Sequence, residues 1–124
     1  MARDHIAIPI LNDEYKVIVT FAGGKTLRKV LKTWRYPKVD QRDTGHLDGR
    51  HAVCITRSRK HPVIAIPDFA DTPRSIGYLA HEACHAVEFV LDAIGQEKRD
   101  EIMAHSVAAI VRIALEKFRR KTHE

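Results

Sequence analysis

The sequence predicts an α+β domain: a small, mainly antiparallel sheet with a basic helix in its N-terminal half, then two long C-terminal helices. Three observations predict it. The β-branched runs all lie before residue 67, one lysine-rich helical period interrupts them at 25–34, and from Thr72-Pro73 the pattern is helical almost to the end. Strands first and a helix pair afterwards is the order of an α+β domain, not of alternating βαβ units. At 124 residues, with no Pro/Ser/Gly-rich linker, positions 1–124 read as a single domain.

The first run, Ile6-Ala7-Ile8-Pro9-Ile10, contains a proline and is expected at a sheet edge or in an irregular arm. Tyr15 to Phe21 alternates and reads as a strand, broken by Gly23-Gly24. Lys25 to Trp34 then has helical spacing, with Leu27, Val30, Leu31 and Trp34 on one face and Lys25, Arg28, Lys29 and Lys32 on the other. Gly24-Lys25-Thr26 is not a phosphate loop, because Val19 stands where the first glycine is required. Residues 36–50 are polar and read as a loop. His51 to Thr56 and Pro62 to Ile66 are strands joined by the basic turn Arg57-Ser58-Arg59-Lys60-His61, and are expected to form a hairpin. Thr72 is a candidate N-cap with Pro73 at the first helical position, and Gly95 a candidate stop. A last helix is expected from about Asp100 to Lys121.

No apolar run approaches the roughly 18 residues needed to cross a bilayer, so no membrane role is expected. Ile6-Ala7-Ile8 ends at a proline and cannot serve as a signal-peptide core, which makes a soluble cytoplasmic protein the expectation. Two cysteines, Cys54 and Cys84, are too few for a disulfide scaffold, and Cys84 is expected as a small buried apolar residue. The formal charge of +5 raises nucleic-acid contact through the basic face of 25–32, with Trp34 and Tyr36 nearby and help from Arg57 to Lys60 and Arg119 to Lys121. Such faces are commonly only solvated.

The chemistry is concentrated in His81-Glu82-Ala83-Cys84-His85, an H-E-x-x-H pentapeptide. Residues four apart on a helix lie about 40° apart in projection, so both imidazoles can reach one ion. Neutral imidazole suits Zn²⁺, which in catalytic sites takes three protein ligands and a water. A carboxylate beside that water can take its proton, and Glu82 is so placed. The chain has eight histidines, so the pentapeptide gains its weight from context. Ile76, Leu79, Ala80, Ala83, Val87, Val90 and Ile94 form a continuous apolar stripe, with His81, His85, Glu88 and Asp92 on the opposite side.

The next helix repeats the design. Met103, Val107, Ile110, Ala114 and Phe118 form its stripe, and Glu101, His105, Ala108 and Arg112 another face. Glu101 or His105 can complete a three-ligand site. A tight antiparallel hairpin brings His105 level with His85, whereas Glu101 reaches the metal if 95–99 runs extended or the helices cross obliquely.

Tyr78 to Val87 resembles the extended signature of zincin metallopeptidases, whose flanking positions are uncharged or hydrophobic. Glu101-Ile102-Met103-Ala104 resembles the E-x-x-A element that supplies the glutamate ligand in gluzincin-like enzymes and in small phage-encoded predicted peptidases. The resemblance covers about 76–112. It implies a zinc peptidase acting on a peptide or protein, with His81, His85 and Glu101 as ligands and Glu82 as general base. Thermolysin-like gluzincins carry an aspartate where this chain has His105, which leaves His105 either as a donor to the developing oxyanion or as a surface residue. By the same analogy an exposed strand, Pro62 to Ile66, would hold the peptide by β-augmentation. The rival readings are a nucleic-acid-binding module and a structural zinc, the latter requiring Glu101 and His105 both to bind.

Overall fold

A computed structural model describes residues 4–42, 52–97 and 100–122 of the chain. The elements run β1 (Ile6–Ile10), β2 (Tyr15–Thr20), α1 (Gly24–Thr33), α2 (Lys38–Arg42), β3 (Val53–Ile55), β4 (Val63–Ala65), α3 (Pro73–Ala93) and α4 (Asp100–Thr122). The strands form one sheet in the order β1-β2-β4-β3. β1 and β2 pair antiparallel, as do β3 and β4, while β2 and β4 run parallel through Ile18–Val63, Val19–Ile64 and Thr20–Ala65. This is the α+β architecture expected, with one parallel seam between two hairpins.

Alternation along the strands builds two cores. Val17, Val19, Ile64 and Ile66 face α3 and α4, where they pack on Leu79, Ala83, Val87, Leu91, Ile110 and Ala114. Ile18, Val63 and Ala65 face the other way, onto Leu27, Val30 and Leu31 of α1. The period of two puts consecutive side chains on opposite faces, so a one-residue slip would exchange the two cores. Pro9 sits on edge strand β1, opposite Lys16, where no further strand among the described residues needs its missing N–H.

The helix ends follow local rules. Thr72 caps α3 by accepting from the Ser75 backbone N–H, with Pro73 just inside. At the other end Gly95, at φ +70°, allows Gly95 N–H to donate to the Asp92 carbonyl and Gln96 N–H to the Leu91 carbonyl. The same pair of bonds closes α1, from Arg35 to Lys32 and from Tyr36 to Leu31, with Arg35 at φ +63° in the glycine position. There the drive is tertiary: Tyr36 and Leu31 are both buried in the α1-side core, the apolar contact that accompanies this turn.

Two sequence expectations are corrected here. Within the polar stretch read as a loop, residues 38–42 form the short helix α2, whose Asp40 receives a bidentate pair from Arg57; residues 43–51 lie outside the described set. β4 is not an exposed strand: it is buried between β2 and β3, and β3 is the edge on that side. Its Val63 to Ala65 are already paired on both sides and cannot add a peptide strand. Among the described residues no helix is long and apolar enough to cross a membrane.

Candidate metal centre

α3 presents the pentapeptide in its middle, and α3 packs on β3, β4 and α4. Leu79, Ala83, Ala86, Val87 and Val90 bury its inner side, leaving His81 and His85 exposed on the outer one. Their Nε2 atoms are 3.1 Å apart, with the rings nearly perpendicular at 81°. Two tetrahedral ligands at 2.0–2.1 Å from a zinc ion are separated by about 3.3 Å. The two imidazoles therefore stand close to the spacing a shared ion would give them.

Glu82 lies between these surfaces. It is 7% exposed, and its Oε2 is buried with no hydrogen-bond partner. An unpartnered buried carboxylate oxygen is costly, and natural structures seldom leave one without a reason. One donor atom from each of His81, Glu82 and His85 lies within 4.8 Å of the others. Two imidazoles at this spacing suit zinc as donors, and the carboxylate stands beside the ion they would share, where it could take a proton from a bound water. The residues present fit the ion.

Glu101 and His105 do not join this group among the described residues. Both are exposed on α4, as the sequence pattern placed them. Arg119 at the end of α4 makes a bidentate pair with Asp71 just before α3, so the two helices run antiparallel with their far ends in register. Counting helical rise back from that pair puts His105 nearer the level of His85 than Glu101 is. Lys98 and Arg99, in the connection on which the reach of Glu101 depends, lie outside the described residues.

β3 supplies the opposite wall, which sequence reasoning did not assign to the site. Ala52, Cys54 and Thr56 lie across from Glu82, His85 and Glu88 in a groove of about 480 Å³, which continues along α3 past Phe89 to Asp92, while Val53 packs on the other face of the sheet. Burial, and second the Glu82 carboxylate, push the Cys54 thiol up to about 12, so it stays protonated near neutral pH. Cys84, expected to be buried, is exposed instead. On α3 it adjoins His85 on the outer side, and Ala83 and Ala86 take the inner positions. The sequence offered one usable signal for this wall, the strand pattern at His51 to Thr56; which helix it would face depends on the sheet order.

The aromatic side chains next to the basic face are occupied internally. Tyr36 is 3% exposed, and its hydroxyl donates to the His61 carbonyl at 2.6 Å, with the Ile55 carbonyl 3.1 Å away. Trp34 Nε1–H donates to His5 Nε2, and His5 Nδ1 pairs with Asp4 at 2.7 Å, a bond that holds the Asp4 carboxyl below its ordinary value. Arg57 is taken by Asp40. Lys25, Arg28, Lys29 and Lys32 remain at the surface.

Comparison with protein-family models, with curated proteins and with solved structures gives no match. The functional reading therefore stands on the geometry and on the resemblance of two short motifs.

Proposed function

We propose that the chain is a zinc-dependent peptidase, with His81 and His85 holding the ion, Glu101 proposed as third ligand from the resemblance, and Glu82 as general base. The observation that carries this reading is the buried Glu82 carboxylate, whose Oε2 has no hydrogen-bond partner, beside two imidazoles whose Nε2 atoms are 3.1 Å apart. A bound zinc ion would supply Lewis acidity, polarising a carbonyl and making a water acidic near neutral pH. Glu82 accepts the proton of the attacking water and returns it to the leaving amine. His105 is proposed as a donor to the oxyanion. The substrate is a peptide or protein, and the edge strand β3 takes the place of β4 as the strand against which it can extend. A cytoplasmic location is part of the same proposal.

Metal content is the direct test. About one zinc per chain is expected, lost on His81→Ala or His85→Ala, badly weakened by Glu101→Ala and largely kept in His105→Ala. The opposite outcome for the last two would exchange their roles, in keeping with the level of His105 on α4. Wild-type protein that takes up no zinc under replete conditions refutes the proposal. Glu82→Gln should keep the ion and lose hydrolysis by roughly 10²- to 10⁴-fold.

A contact of the basic α1 face with nucleic acid is the second reading, carried by the four exposed cations of that helix. Its mark would be steeply salt-dependent binding that chelator leaves unchanged.

A further inference from the structure

The described lining of the groove beside the pentapeptide has a charge opposite to that of the chain. Overall the protein carries +5. Yet among the described residues lining the groove there is no lysine or arginine, while Glu82, Glu88 and Asp92 all line it. Glu88 and Asp92 are exposed, and Glu82 at the head of the groove is more than nine-tenths buried with Oε2 unpartnered. These three carboxylates and His85 come from one helix, on the side turned toward edge strand β3.

Their spacing has a consequence for a bound chain. Along α3, Glu88 lies about 4.5 Å beyond His85 and Asp92 about 10 Å beyond it. An extended peptide advances about 3.3 Å per residue. A side chain roughly one to three residues from the bond at His85 therefore comes level with this acidic stretch. Phe89 lines the groove between the two carboxylates in sequence and offers an apolar surface to an aliphatic stem.

We infer that this groove selects peptides carrying a lysine or arginine roughly one to three residues from the cleaved bond, the cationic head being received by Glu88 and Asp92. The inference rests on the peptidase reading for the position of the bond. The charge preference rests only on the groove.

The test separates the two. Matched peptides differing only by Lys, Ala or Glu at each position within three residues of the centre are titrated, by fluorescence anisotropy, into the zinc-loaded Glu82→Gln protein. Wild-type hydrolysis of the same set is followed in parallel. The lysine peptide is expected to bind about tenfold more tightly than the alanine peptide at its best position, and the glutamate peptide more weakly than either. Combining Glu88→Gln with Asp92→Asn should bring the lysine-to-alanine ratio to within about twofold, and Glu88→Lys should turn the preference toward the glutamate peptide. Equal binding of the three peptides, or a lysine preference that survives the double substitution, overturns the inference. Cleavage without charge preference refutes the groove assignment and leaves the peptidase. A charge preference that depends on Glu88, with no cleavage of any peptide by zinc-loaded wild type, refutes the peptidase and leaves the groove.

Discussion

Tyr36 and Glu82 are buried to a similar degree, 3% and 7% exposed, on opposite sides of the sheet, and the fold treats them differently. The Tyr36 hydroxyl reaches two backbone carbonyls, and burial raises its pKa above the ordinary phenol value. It ties the end of α1 to the β3–β4 hairpin, at Ile55 in β3 and at His61 in the connection before β4, so its polar atom works for the fold. Glu82 has equally little water but leaves Oε2 unpartnered. A buried polar group that contributes to stability has its partners in place. One without them reduces stability, and under the proposed function its partner is the water that a bound zinc ion would hold. Both positions are legible as polar residues in an apolar setting, but only the partners separate a fastening from a site.

This contrast can be broken by measurement. Tyr36→Phe leaves the His61 carbonyl without its donor and should cost about 1–3 kcal/mol in urea unfolding, with zinc affinity unchanged. If stability is unaffected, Tyr36 is not the fastening described. Glu82→Met in chelator-treated protein should act in the opposite direction, raising stability by about 1 kcal/mol, because an unpartnered carboxylate gives way to an apolar chain of similar length. A clear loss of stability instead would mean that Oε2 has a partner in solution, and the argument from Glu82 to a metal would fall.

The smallest effect concerns His61, whose Nδ1 accepts from the Lys16 backbone N–H. Burial, and second the Lys16 charge, hold its pKa below the ordinary 6.5. The folded state thus binds fewer protons than the unfolded chain just below that pH. Its contribution is fully present above pH 6.5 and is lost as pH falls through the lowered folded value. Thermal unfolding of chelator-treated protein between pH 7 and 5 should show a shallower decline in Tm for His61→Gln than for wild type. An unchanged slope would remove His61 from the balance.

Much of the fold was legible because the signals are local. Thr72, Pro73 and Gly95 delimit α3 through caps whose geometry involves only neighbouring residues. The hairpin of β3 and β4 follows from two short apolar runs around a basic turn. The end of α1 was less legible, since Arg35 takes a left-handed conformation without being glycine. What holds it there is the burial of Tyr36, a tertiary contact. The position of β4 was misjudged for a related reason: Val63 to Ala65 look alike whether central or exposed, and the parallel pairing with β2 decides.

For the site, the sequence by itself determined the pentapeptide on a helix with an apolar back, because a period of 3.6 residues places His81 and His85 on one side regardless of the rest of the chain. It also placed Glu101 and His105 together on one face of α4, apart from its apolar stripe. Only the tertiary structure buried Glu82 and set the edge strand with Cys54 across from it. Only the tertiary structure packed α3 against α4, with Asp71 paired to Arg119, and left both Glu101 and His105 outside the His81, Glu82 and His85 group among the described residues. Periodicity acts within one element; burial, partners and register between elements are properties of how the elements meet.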